Sequence, residues 1–162
     1  MMSADDRKTL LIGVGNEYRS DDGAGLLAAL AIREKRLPDV VVKEESGEGA
    51  ALMDAWEGFS RIVLVDAVSS GSAPGAIHRL DARVQSIPSK FFHYSTHAFS
   101  VAEAVELART MGTLPESVVL LGIEGENFIA GTRLSKSVIA ALPELIERIE
   151  SELVHPAEKK NG

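Results

Sequence analysis

Polar side chains that could do chemistry fall at points where a predicted strand gives way to the next element. Asp21 and Asp22 follow the first apolar run of the chain and Asp66 closes a later one. The loop before a predicted helix carries His93, Tyr94 and His97. In folds with parallel strands, ligands bind beyond the carboxyl ends of the strands. Two carboxylates and an imidazole at that edge would offer an O, O, N donor set to a divalent metal, with positions left open for substrate or water.

Each of the acidic residues also has a simpler interpretation. An aspartate at a helix start usually caps it, and we assign Asp21 this role and expect Asp22 to face the cleft. Asp66 ends a buried strand, where a carboxylate is costly unless it is paired or bound to metal. Hydrogen bonds to neighbouring amides are an equally good explanation for Asp66, so both readings stay open.

Each histidine can likewise be read either as a site residue or as a structural residue. His97, taken alone, fits a helix start or a core position better than a metal ligand. The spacing of His93 and His97 suits a metal pair on a helix, but both precede the predicted helix, so we treat it as a coincidence. His78 on a predicted edge strand and His155 near the C-terminus are given no role in a site.

The glycine-rich turn from Gly13 to Gly25 would usually receive a phosphate, but here it carries two carboxylates, which favour a cation. It lacks the third glycine of a dinucleotide fingerprint, and its acids would repel a pyrophosphate. A phosphoacceptor receiver domain needs a lysine after the last strand, where this chain has Glu124. There is no serine in a G-x-S-x-G elbow, so nothing supports a serine hydrolase.

Composition narrows the class of protein further. The 162 residues fit one domain, for which we expect an ordered core of about 9–153 and flexible ends. With no cysteine, the chain has no disulfide framework, thiolate metal site or cysteine nucleophile. A net charge of −7 argues against nucleic acid as a partner. We find no signal peptide and no apolar run of the ~20 residues needed to cross a membrane, so we expect a cytoplasmic protein, and a monomer.

Strand-like and helix-like segments alternate along the chain. Apolar runs predict strands at 10–14, 40–42, 61–66 and 118–121, and the short turn before 76–80 predicts an antiparallel edge strand. Helices are predicted at 22–35, at 50–56 and at 135–153. Leu26, Leu27 and Leu30 should face inward on the first of these. A capping box at Ser100 and Glu103 predicts the start of a further helix. Pro143 predicts a kink or the start of a second helix. The pattern predicts a three-layer α/β/α fold with a mostly parallel sheet.

In this order and spacing, the motifs resemble the hydrogenase maturation proteases, which trim the C-terminus of nickel–iron hydrogenase large subunits. The resemblance covers about residues 9–153. It rests on Gly13-x-Gly15-Asn16 with Asp21-Asp22-Gly23-x-Gly25, on Val65-Asp66-Ala67-Val68 with Gly71, on Ser95-Thr96-His97, on the 118–124 stretch, and on Ala141-Leu142-Pro143. The chain departs from the family at Tyr18, where an aliphatic residue is common, and at Gly125, where proline is frequent.

The resemblance implies a five-stranded twisted sheet and a site in which Asp22, Asp66 and His97 contact the metal and serve catalysis. It implies that the hydrogenase large-subunit precursor is the partner and that it brings nickel on its own cysteines. The free enzyme would then hold nickel only weakly. A metal-polarised carbonyl or a metal-activated water could drive cleavage, with Asp22 or Asp66 as base.

Two other functions remain open from the residues alone. A non-catalytic metal-sensing module that docks on a metalloenzyme precursor needs the same ligands. A metallohydrolase acting on small molecules also needs them, but it would bind its metal tightly in the free state.

Overall fold

The computed structural model describes residues 8–154, and its five strands form one sheet in the order β2-β1-β3-β5-β4. The strands are β1 (Thr9–Val14), β2 (Val40–Glu45), β3 (Arg61–Val68), β4 (Ile77–Asp81) and β5 (Ser117–Glu124). All neighbours pair in parallel except β4, which runs antiparallel to β5 at the edge. The predicted fold class and the antiparallel edge strand are therefore confirmed. The predicted flexible ends and His155 lie outside the described residues.

Four α-helices cover the two faces of the sheet: α1 (Ala24–Lys35), α2 (Gly49–Trp56), α3 (Val101–Met111) and α4 (Lys136–Val154). The sheet has one hydrophobic core on each face. Alternate residues of a strand point to opposite faces, so β1 contributes to both cores. Leu10 and Ile12 pack in the core that includes residues of α2 and α3, and Leu11 packs in the core that includes residues of α1 and α4. Both faces are thus buried, which explains the near-continuous apolar strands.

The inner face of α1 differs from the prediction. Leu27 and Leu30 are 45% and 41% exposed, whereas Ala24, Gly25, Ala28, Ala29 and Ile32 are buried. Small residues face inward because the helix lies very close to the sheet. A Cβ on Gly25 would lie 2.5 Å from the Val65 carbonyl oxygen and 2.6 Å from that of Val14. The prediction of an inward side chain is therefore wrong for Leu27 and Leu30, while Leu26 is half-buried.

Other features of the elements also differ from the sequence-based prediction. β3 continues to Val68, so Asp66 lies two residues before the end of the strand. α4 passes through Pro143 as one helix, so the alternative of a second helix starting there is wrong. Ser100 is the N-cap residue of α3 as predicted, but its side chain makes no capping hydrogen bond.

Candidate active site

The candidate site is a cleft of about 260 Å³ beyond the carboxyl end of β1. Its lining comes from the loop after β1, the loop after β2, the loop before α3 and the first turn of α1. Asp22 and His97 both line it, together with Arg19, Leu26, Ser46 and residues 15–18 and 95–96. Asp66 is not part of the lining and is only 4% exposed.

The β1–α1 loop holds Asp22 in a tight turn. Gly15 has a φ of +149°, and a Cβ there would lie 1.9 Å from the Asp22 carbonyl oxygen, so only glycine fits. The Asn16 N–H donates to Asp22 Oδ2 at 3.0 Å. Burial raises the pKa of Asp22, although the Asn16 N–H, the Tyr94 hydroxyl and the charges of Arg19 and His97 act in the opposite direction. The glycines of this turn thus serve close packing of the chain on itself.

Asp21 does not cap a helix, and that prediction is wrong. It lies in a short 3₁₀ turn at Ser20–Gly23, and neither this turn nor α1 has a side-chain N-cap. Its carboxylate instead accepts hydrogen bonds of 2.7–2.9 Å from the backbone N–H groups of Glu126, Asn127 and Ser135 and from the Ser135 hydroxyl. Burial raises the pKa of Asp21, but these hydrogen bonds outweigh it and the net pKa lies below its usual value. Asp21 therefore anchors the loop between β5 and α4.

Asp66 is an under-satisfied buried carboxylate next to Asp22. Within residues 8–154 its Oδ1 is buried and accepts no hydrogen bond, while the neighbouring Ala67 N–H bonds to the carboxylate. Burial and then the negative charge of Asp22 raise the pKa of Asp66 well above its usual value. A buried oxygen without a donor is costly, and it is suited to bind a proton or a cation.

The loop before α3 carries both His93 and His97, but only His97 lines the cleft. The His97 N–H donates to Ser95 Oγ at 3.1 Å, and the ring is close enough to Asp22 and Glu48 for its charge to affect both carboxylates. His93 is exposed and bonds through Nδ1 to the Lys90 carbonyl oxygen. The two imidazoles therefore have different surroundings. His78, which was given no role, lies on β4 with Nε2 3.4 Å from Ser70 Oγ.

The structure brings the three predicted site residues to one edge of the sheet but not into a finished metal site. Asp22 interacts electrostatically with both Asp66 and His97. Across residues 8–154, no three His, Asp or Glu side chains are grouped closely enough to hold a metal ion. The donor set of two carboxylates and an imidazole fits a divalent cation in chemistry, and one buried Asp66 oxygen has no hydrogen-bond partner within residues 8–154.

Sequence reasoning gave no role to Tyr94, which lies beside Asp22 and Asp66, or to Glu124, which is buried at the end of β5. Tyr94 donates from its hydroxyl to the Ala67 carbonyl oxygen at 2.5 Å, and its ring stacks on Phe128 with centroids 3.9 Å apart. Glu124 is 1% exposed and accepts hydrogen bonds from Ser70 and Ser72 in the β3–β4 loop. The position of Glu124 at the end of β5 was the available signal.

A family model described as hydrogenase maturation protease matches residues 30–152 of the chain. The chain belongs to the hydrogenase maturation protease family. It is therefore a hydrolase that acts on peptide bonds in hydrogenase maturation, as predicted. No helix within residues 8–154 is long and apolar enough to cross a membrane.

Sequence relatives of the maturation protease are named for hydrogenase maturation or hydrogenase formation. It is 29% identical over 153 residues to a putative hydrogenase maturation protease of Methanocaldococcus jannaschii, covering 89% of this chain and 95% of that one. It is 27% identical to the hydrogenase expression/formation protein HoxM of Cupriavidus necator, covering 85% and 69% of the two chains.

Solved structures agree with the fold of the maturation protease. The hydrogenase maturating endopeptidase HybD from E. coli superposes with a TM-score of 0.74 at 20% identity, over 90% of this chain and 91% of that one. The [NiFe] hydrogenase maturation protease HybD from Thermococcus kodakarensis gives a TM-score of 0.64 at 25% identity, over 90% and 99%.

Proposed function

We propose that this protease removes a C-terminal peptide from the nickel-loaded precursor of a nickel–iron hydrogenase large subunit, and that it recognises the nickel bound to that substrate. The observation that carries the proposal is the Asp66 carboxylate. It is buried beside a second carboxylate at the cleft, and one of its oxygens accepts no hydrogen bond from residues 8–154. An oxygen in this state has a vacant position for a cation.

Asp22, Asp66 and His97 would each contribute one contact to the substrate's nickel. Their chemistry does not select nickel over copper or zinc, so selectivity has to come from the thiolates of the client. The chain has no cysteine of its own. We therefore expect the free enzyme to hold nickel weakly, and we expect a protein that works in the cytoplasm as a monomer.

Hydrolysis needs a water that attacks the scissile carbonyl carbon and a group that takes its proton and passes it to the leaving amine. Asp22 suits the proton transfer better than Asp66 because it lines the cleft and its pKa is raised by burial. Asp66 would then act as a fixed ligand that holds the substrate in register. Contact of the nickel with the scissile carbonyl or with the attacking water would lower the barrier further.

The test is to incubate the protein with a large-subunit precursor in nickel-loaded and nickel-free forms and to weigh the products. We expect loss of a C-terminal peptide from the loaded form only. Equal cleavage of both forms would refute recognition of nickel. Cleavage of neither would contradict the proposal and favour the docking module, and tight metal binding by the free protein would favour the small-molecule metallohydrolase.

Neighbouring histidines supply a matched control. His97→Ala should abolish processing, as should Asp22→Asn and Asp66→Asn. His93→Ala removes an exposed imidazole from the same loop and should leave the rate unchanged. Full activity of His97→Ala would show that the site assignment is wrong.

A further inference from the structure

We propose that Tyr94 is a positioning residue that fixes Asp66 for the reaction, and that Phe128 holds Tyr94 in place. The inference rests on the proposed function and adds two residues that lie outside the lining of the cleft. It starts from a gap in the sheet next to Asp66.

The gap lies on the β1 side of β3. β1 pairs with β3 only as far as Gly13, which is opposite Val65. On the other side the ladder continues, and the Gly125 N–H donates to the Val68 carbonyl oxygen at 3.0 Å. The Ala67 carbonyl lies beyond the last residue that β1 pairs, and the Tyr94 hydroxyl satisfies it at 2.5 Å.

Ala67 connects Tyr94 to Asp66. Its N–H donates to the Asp66 carboxylate, while its carbonyl oxygen accepts from Tyr94. One residue is thus held at its carbonyl by Tyr94 and holds the carboxylate at its amide. Asp66 Oδ1 accepts no hydrogen bond in the described part of the chain, so the bond from the Ala67 N–H is a restraint on the orientation of the carboxylate that Oδ1 does not duplicate.

Phe128 keeps the Tyr94 ring in position by stacking against its face. The two rings are stacked with centroids 3.9 Å apart and planes inclined by 16°. The stack requires glycine at 125, because a Cβ there would lie 2.4 Å from the Phe128 ring. The departure from proline at Gly125 therefore makes room for this aromatic pair, which joins the β5–α4 loop to the acidic site.

Two variants separate the hydroxyl from the stack in the processing assay. Tyr94→Phe removes the hydroxyl and keeps the ring that stacks on Phe128. Phe128→Leu removes the stacked ring and keeps the Tyr94 hydroxyl. We expect each to lower kcat by about 10–100-fold with KM unchanged, as supporting groups behind ligands do. Gly125→Ala should behave as Phe128→Leu does. Thr110→Val, which removes a hydroxyl bonded to the Glu106 carbonyl on the surface of α3, is the control and should keep the wild-type kcat.

A second measurement does not depend on catalysis. The shift in the urea midpoint caused by Tyr94→Phe should differ between the wild-type protein and the Asp66→Asn variant, because the hydroxyl and the carboxylate share Ala67. Equal shifts, a wild-type kcat for Tyr94→Phe, or a raised KM with unchanged kcat would each overturn the proposal. If wild-type protein processes no precursor, the proposed function fails while this coupling still decides the role of Tyr94.

Discussion

Asp21 and Ser135 are joined by two hydrogen bonds of 2.7 Å, one from the Ser135 N–H and one from its hydroxyl, although 114 residues separate them in the chain. Through this contact the loop that carries Asp22 and the loop that precedes α4 become one support for the cleft. Ser20 and Arg19 add bonds between the same loops, to the carbonyl oxygens of Ile129 and Phe128.

Asp21→Ala should destabilise the protein strongly. Removal of a buried carboxylate leaves three N–H groups and a hydroxyl without their acceptor, and hydrogen bonds to charged groups contribute about 1.5–3 kcal/mol each. We expect a loss of about 3 kcal/mol or more in the free energy of unfolding, measured by urea denaturation. Asp54→Ala, on the exposed side of α2, is the control and should change stability little. A loss no larger than that of the control would contradict the anchoring role.

Asp66→Asn should make the protein more stable at neutral pH while it abolishes processing. The folded-state pKa of Asp66 is raised by burial and by Asp22, so the folded protein binds this proton more tightly than the unfolded chain does. Stability from Asp66 is therefore greatest below the unfolded pKa of about 3.9 and decreases as pH rises toward the folded pKa.

The measurement is urea denaturation of wild type and Asp66→Asn from pH 4 to pH 8. The advantage of the variant should grow with pH across this range. Asp54→Asn, at an exposed position, should give no such trend. An advantage that is the same at pH 4 and pH 8 would mean that titration of Asp66 is not its source.

Gly25→Ala should be more damaging than glycine replacement at an open site. Its Cβ would meet two backbone carbonyl oxygens, which cannot move without separating α1 from the sheet. We expect a loss of about 3 kcal/mol or more, seen as a lower thermal midpoint. Gly112 has a φ of +72° and open space around it, so Gly112→Ala should cost only about 1–2 kcal/mol. Similar losses at both positions would refute the close-packing explanation.

Tyr18→Ala should raise KM for the precursor with little change in kcat. Tyr18 lines the cleft and is 65% exposed, while its N–H bonds to Asn16 Oδ1 and its carbonyl oxygen accepts from the Gly131 N–H. An exposed aromatic ring on a fixed backbone is suited to contact a client protein. Val84→Ala removes another exposed apolar side chain, after β4 and outside the cleft lining, and should leave KM unchanged. An unchanged KM for Tyr18→Ala would exclude this contact.

The layered fold was predictable because the strands are continuous apolar runs and the turn before β4 is too short for a crossover helix. The inner face of α1 was not predictable in the same way. Packing against β1 and β3 demands small residues, and Leu27 and Leu30 are left partly exposed as a result.

The site was predictable where it depends on strand ends and not where it depends on distant loops. Strand ends and the loop before α3 made Asp22, Asp66 and His97 candidates, the resemblance to the maturation proteases selected these three, and their roles as metal contacts stay a prediction. The partners of Asp21 lie more than 100 residues away, so local pattern suggested a cap instead. Tyr94 gained its role from a carbonyl left open by the length of β1, which no sequence pattern reveals.

The joined loops also determine when the site can form during synthesis. Asp22, Asp66 and His97 all lie within the first 97 residues, but Phe128 and Ser135 contact Tyr94 and Asp21 beside them. A nascent chain that ends before residue 128 has every proposed catalytic group and lacks both of these contacts. The contacts that support the proposed site therefore form only after most of the chain has been made.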